Sequence, residues 1–150
     1  MYPVHTDAET AETSEFPGAI TLKILLSGRD SDGSIAVFED IFQPCVGPGR
    51  QIHHGQDKTF FFLEGSFDVE IDSTRHRMRP GDVALVPRGT VHAFSNVGDT
   101  VGRLCYVFSP ALKMEGMFRA FYAAVPGGLT EEAMARIAQD HGQEFVGPPI

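Results

Sequence analysis

Two short stretches hold most of the side chains able to do chemistry. The segment GDVALVPRGTVHAFSN, residues 81–96, delivers His92 directly behind a turn containing Pro87 and Gly89. VALVP reads as a short apolar strand, Arg88-Gly89 as the turn, and Val91 to Phe94 as the opening of a second strand. A histidine so placed has its backbone held and its imidazole aimed; the same placement also suits a histidine merely hydrogen-bonded in a wall. The second stretch, GPGRQIHHGQDKTFFFLEG, residues 47–65, contains the adjacent pair His53 and His54 and then Lys58 within a run of phenylalanines. By strand alternation Lys58 shares a face with Phe60 and Phe62, and His92 shares one with Phe94. Neutral imidazole suits Zn, Cu, Fe and Ni. A lysine in an apolar pocket loses solvation and with it some of its pKa, so it can serve as a general base or form a Schiff base with a carbonyl compound. Alternatively it pairs with a carboxylate or extends out of the pocket mouth.

The elements that must position these residues read as arm, sheet structure and helical tail. Residues 1–17 form a polar, acidic N-terminal arm carrying Asp7, Glu9, Glu12 and Glu15, mobile unless docked on a neighbour. Residues 18–110 carry many short strands at close, even spacing: Ala19 to Leu26, Ile35 to Phe42, Thr59 to Leu63, Phe67 to Ile71, and further runs at 82–87, 90–95 and 102–108. Turn formers separate them, as in SGRDSDGS (27–34) and CVGPG (45–49). This pattern predicts a mainly β sandwich or barrel. In Arg75-His76-Arg77-Met78-Arg79 the arginines share a solvated face, and His76 belongs to a wall or rim. After Pro110 the period changes, because Met114, Met117, Phe118 and Phe121 form one helical stripe. Thr130 is placed to cap a second helix, with Met134, Ile137 and Ala138 on its apolar side. The tail, residues 111–150, is expected to pack on the barrel or on a second subunit.

Composition narrows the function classes. The 150 residues carry a net charge of -8, and 42% are hydrophobic. That charge argues against nucleic acid and anionic membrane surfaces, which select a basic footprint. No apolar run approaches a membrane span, and Met1 to Pro17 lacks the pattern of a signal peptide, so the expected location is cytoplasmic. Cys45 and Cys105 are the only cysteines, far apart, and read as free thiols of a reducing compartment.

Gly81, Pro87, Gly89, His92 and Asn96 match the spacing of the second conserved motif of the cupin superfamily. The chain therefore resembles the cupins, double-stranded β-helix (jelly-roll) barrels, here with two short C-terminal α-helices. The resemblance covers roughly residues 20–150 and is nearest to small bacterial cupins of the quercetin 2,3-dioxygenase-like group. It implies that His92 is one ligand of a metal at the bottom of the barrel. The first motif is degenerate: Gln51 falls at the first usual His, His53 at the second, and Lys58 at the Glu. His54 lies one residue further on and could replace Gln51 if the strand bulged.

An ammonium about 5 Å from a divalent ion costs about 3 kcal/mol per unit charge at an effective dielectric of about 20, so about 6 kcal/mol in all. The alternatives are a divalent Fe, Mn, Ni, Cu or Zn held by His53 and His92 with Gln51 or His54, and a site with no metal. Phe60, Phe62 and Phe94 are expected to line a pocket for a small apolar or aromatic molecule. Three functions remain open: a metal-dependent, dioxygenase-like oxidoreductase acting on an aromatic or enolic substrate, a metal-free isomerase or cyclase using Lys58, and a non-catalytic binding module. A closed barrel with an apolar tail also suits a homodimer.

Overall fold

The structure is a computed structural model and describes residues 1–150. In chain order the strands are β1 (Glu12–Phe16), β2 (Ile20–Leu26), β3 (Ala36–Phe42), β4 (Arg50–His53), β5 (Asp57–Glu64) and β6 (Phe67–Ile71). They continue with β7 (Thr74–Met78), β8 (Val83–Val86), β9 (His92–Asn96) and β10 (Gly102–Ser109). Helices α1 (Met114–Ala124) and α2 (Glu131–Asp140) follow, and β11 (Gln143–Gly147) ends the series. The strands form two antiparallel sheets, ordered β1-β2-β3-β10-β5-β8 and β11-β4-β9-β6-β7. This is a mainly β jelly roll with two C-terminal helices. No helix is long and apolar enough to cross a membrane.

Alternation along the strands builds the interior. On β10 Leu104, Tyr106 and Phe108 are buried; on β5 Lys58, Phe60 and Phe62 are. β10 lies between β3 and β5, so Tyr106 sits opposite Phe38 on one side and Phe60 on the other. The rings meet mostly edge-on or tilted, as their quadrupoles prefer: Phe42 with Phe94 at 5.6 Å, Tyr106 with Phe108 at 5.6 Å, and Phe60 with Phe94 at 4.9 Å.

The two ends of the chain close this barrel. Residues 12–16 of the arm pair with β2, and Arg119 of α1 holds Glu12 at 3.0 Å. Along α1 the stripe of Met114, Met117 and Phe121 is buried, with Phe118 packed against the same core. Thr130 caps α2 by accepting the Ala133 N–H at 3.1 Å. The last strand, β11, lies against β4 of the same chain, a pairing with no marked strand pattern in the sequence. Edge strand β1 and strand β4 likewise have no clear alternating apolar signal.

The motif residue Asn96, fully buried, ties three segments together. Its amide donates to the carbonyls of Phe42 at 3.2 Å and Thr100 at 2.8 Å, and its carbonyl accepts from Gly98 N–H at 3.0 Å. Replacing it strands buried backbone groups, each worth about 1–3 kcal/mol when left unpaired. Asn96→Ala is expected to lower stability by about 2–4 kcal/mol, read from urea unfolding; a loss under about 0.5 kcal/mol would mean that these bonds do not tie the segments.

Candidate functional site

The turn of the second motif positions the first motif as well. Gly89, at φ +77°, donates its N–H to the His53 carbonyl at 2.8 Å. Gln51 of β4 stands opposite His92 of β9. Gln51 and His53 therefore both point inward, along with His92, and all three are buried. The two imidazole rings lie 5.2 Å apart, and Phe108 meets His53 edge-on at 4.7 Å. His92 Nδ1 donates to the Thr90 carbonyl at 3.1 Å, so its Nε2 carries a lone pair. That Nε2 and both nitrogens of His53 have no protein hydrogen-bond partner.

His54 does not join them. β4 runs without a bulge at this point, and alternation turns the next side chain out. The His54 backbone N–H is held by the Gly142 carbonyl, and its ring faces Glu144 at 3.3 Å on the exposed surface. Gln51 is buried but engaged, since its Oε1 accepts from Gln143 Nε2 at 2.6 Å.

Lys58 is 3% exposed and points into the barrel. Its Nζ lies 4.4 Å from the centroid of the Tyr106 ring, 4.7 Å from those of Phe60 and Phe94, and 5.1 Å from that of Phe108. Three of these rings come from its own sheet and Phe94 from the opposite one. No ion pair of the chain includes Lys58; the carboxylate that acts on its charge is Asp40, buried on β3, which accepts a hydrogen bond from Tyr106 Oη at 3.3 Å. Burial lowers the Lys58 pKa to about 7 against the pull of Asp40, and burial raises that of Asp40 to about 7 against the pull of Lys58. Burial, then the Lys58 charge, holds His53 well below its usual value and His92 down to about 3.

Lys58, Asp40, Tyr106 and Gln51 all face a cavity of about 730 Å³, and His53 and His92 lie outside its lining. Of the expected pocket phenylalanines Phe94 lines it, whereas Phe60 and Phe62 are buried in the wall behind. Phe16 of β1, Phe118 and Tyr122 of α1, Met134 of α2 and Phe145 of β11 also line it. Sequence reasoning missed Asp40, Tyr106 and Gln143. A signal existed for the first two, because each interrupts an inward apolar row: Phe38-Asp40-Phe42 and Leu104-Tyr106-Phe108.

These donors do not fit a divalent metal. His53 and His92 have no third His, Cys, Asp or Glu grouped with them, the Gln51 carbonyl is already committed, and the nearby Lys58 adds positive charge. Two neutral imidazoles alone supply neither the ligand number nor the negative charge that such an ion requires.

The two-sheet jelly roll thus encloses an aromatic cavity with a few polar groups gathered at one point of its wall. Residues 40–108 match the family model of the cupin domain, and the two-sheet barrel has the cupin fold. It is 33% identical over 69 residues to Protein SchB of Streptomyces halstedii, across 43% of this chain and 50% of that one. The chain spans about half the length of the curated relatives it matches. By fold it is similar to KdgF from Halomonas sp., with a TM-score of 0.65 and 18% identity over 73% of this chain and 94% of that one. It is also similar to the polyketide cyclase RemF from Streptomyces resistomycificus, with a TM-score of 0.59 and 22% identity over 73% and 79%.

Two measurements check the site. Both imidazoles titrate below their ordinary 6.5, so the fold favours their neutral forms. Their contribution to stability is full above pH 6.5 and is lost as pH falls toward the folded values. Asp40 has the opposite sign, contributing fully below 3.8 and losing that contribution as pH rises to about 7. Between about pH 4 and 6, His92→Gln is therefore expected to reduce the slope of stability against pH by about 1.4 kcal/mol per unit. An unchanged slope would mean that His92 is not held neutral. Untagged, dialysed protein is expected to hold far less than one divalent ion per chain by elemental analysis. A stoichiometric ion that disappears in His92→Ala would refute the donor argument.

Proposed function

We propose that this cupin binds an apolar aromatic or enolic carbonyl compound in its cavity and moves protons on it without a metal, as an isomerase or cyclase does. The observation that carries the reading is the Lys58 and Asp40 pair, buried together where the aromatic cavity meets the barrel core. A cavity of about 730 Å³ accommodates a ligand of several fused rings. With the apolar body against Phe118, Tyr122 and Phe145, a carbonyl group has Lys58 as its strongest donor. The ammonium stabilises the negative charge that develops on oxygen as an enolate forms, and low dielectric strengthens that interaction. The Asp40 carboxylate, positioned by the Tyr106 hydroxyl, takes the proton from the adjacent carbon. Burial lowers the pKa of Lys58 and raises that of Asp40, which brings the acid and the base of the pair toward each other in strength. The Gln51 amide nitrogen is a further donor, because its oxygen is the atom held by Gln143.

A metal-dependent dioxygenase needs a redox metal, and the donor set above argues against that reading. The polyketide cyclase RemF shares the fold, and cyclisation of a polyketide proceeds through the enolate chemistry that this pair suits.

The test uses 2-acetylnaphthalene, an enolisable aryl ketone. In D2O at neutral pH the protein is expected to speed deuterium exchange of its methyl group, followed by NMR. Lys58→Met and Asp40→Asn should each return the rate to background, and a chelator should leave it unchanged. Full exchange activity in Lys58→Met would sink the assignment. Binding without any accelerated exchange would leave a ligand-binding cupin instead.

A further inference from the structure

The sequence contains three lysines, and their environments differ sharply. Lys23 donates to the Ala8 carbonyl near the surface, and Lys113 is exposed. Lys58 alone is buried, facing a cavity, with aromatic rings around Nζ and no ion-pair partner. General acid–base work does not require this cage. Its quadrupoles favour a cation that has shed its water, and a protonated imine is such a cation, with an organic substituent in place of N–H groups.

We infer that Lys58 is an imine-forming nucleophile and that the site's substrates are aldehydes or ketones with an apolar aromatic body. This rests on the cavity reading above and makes it covalent. The Nζ lone pair attacks the carbonyl carbon, and the C=O electron pair moves to oxygen, which takes a proton from the Asp40 carboxyl group. The nitrogen, now positively charged, returns a proton to the Asp40 carboxylate. Asp40 then protonates the carbinolamine hydroxyl, which leaves as water as the nitrogen lone pair forms C=N. The product is an iminium ion beside a carboxylate, and no oxidant or reductant is consumed. Loss of a proton from the adjacent carbon to Asp40 gives an enamine, the covalent counterpart of the enolate. The rings at 4.4–5.1 Å hold the iminium as they hold the ammonium. Burial supports the first step by keeping part of the amine neutral near pH 7.

The probe is 6-methoxy-2-naphthaldehyde, mixed with the full chain and cyanoborohydride at neutral pH, with intact mass and peptide mapping as readouts. One reduced adduct per chain is expected, on Lys58, formed about tenfold or more faster than on Lys113. Lys58→Met should lose the adduct while still binding 2-methoxynaphthalene, which has no carbonyl, as read from its fluorescence. The comparison of Lys58 with Lys113 is internal to the native chain and needs no variant to fold. Equal labelling of the two lysines, or none on Lys58 while 2-methoxynaphthalene binds, overturns the imine and leaves the cavity reading standing. Failure of both naphthalenes to bind overturns both.

Discussion

A lysine ammonium enclosed by aromatic rings, with one buried carboxylate as its counter-charge, is the constraint around which this barrel is arranged. An isolated charge in such an interior is costly, and the protein answers in several ways at once. The rings present their negative faces to Nζ, Asp40 supplies opposite charge from β3, and Tyr106 donates to Asp40 so that the carboxylate is held. Burial also moves both pKa values toward each other, which eases the cost by favouring the neutral forms. The result is a polar point in an apolar interior, poorly satisfied by the protein itself.

The same charge sets the character of the two histidines. His53 and His92 stand at the positions where the resemblance to cupins implies metal ligands, yet the lysine disfavours any second cation near them. Burial and Lys58 keep both rings neutral, and three of their four nitrogens stay without a protein partner. They line the barrel behind the cavity wall, where Lys58, Asp40 and Gln51 face the cavity and the two imidazoles do not. Their contribution is to the polarity of the floor and to the acid sensitivity of the fold.

The termini give the cavity its size. Without β1, α1, α2 and β11 the polar pair would open to solvent, and solvation would restore ordinary lysine and carboxylate behaviour. Phe16 against Tyr122 at 4.7 Å joins the arm to the helical tail over the cavity, and Gln143 reaches from β11 to hold Gln51. Both ends of the chain thus serve the site directly, one through a wall and the other through a wall and a hydrogen bond.

The local sequence determined what local physics controls. Alternation on β5 put Lys58, Phe60 and Phe62 on one face, the turn at Pro87 and Gly89 delivered His92 inward, and the stripe from Met114 to Phe121 marked a helix. The interrupted rows at Asp40 and Tyr106 were also legible, since a polar residue between two inward phenylalanines, or between Leu104 and Phe108, points inward by the same period of two. Their meeting with Lys58 was decided only by tertiary structure. Asp40 and Lys58 are 18 residues apart, and β10, contributed from more than 40 residues beyond, lies between their strands. Strand order is a non-local choice, settled by how whole sheets bury their faces. The same holds for Gln51, whose oxygen is taken by a residue from the far end of the chain, and for His54, whose outward turn depends on β4 keeping a regular register with β11 from Gln51 to His53. Residue type and period announce which side chains enter the interior; which of them share one solvent-free space, and hence one set of charges, follows from the packing of strands distant in sequence.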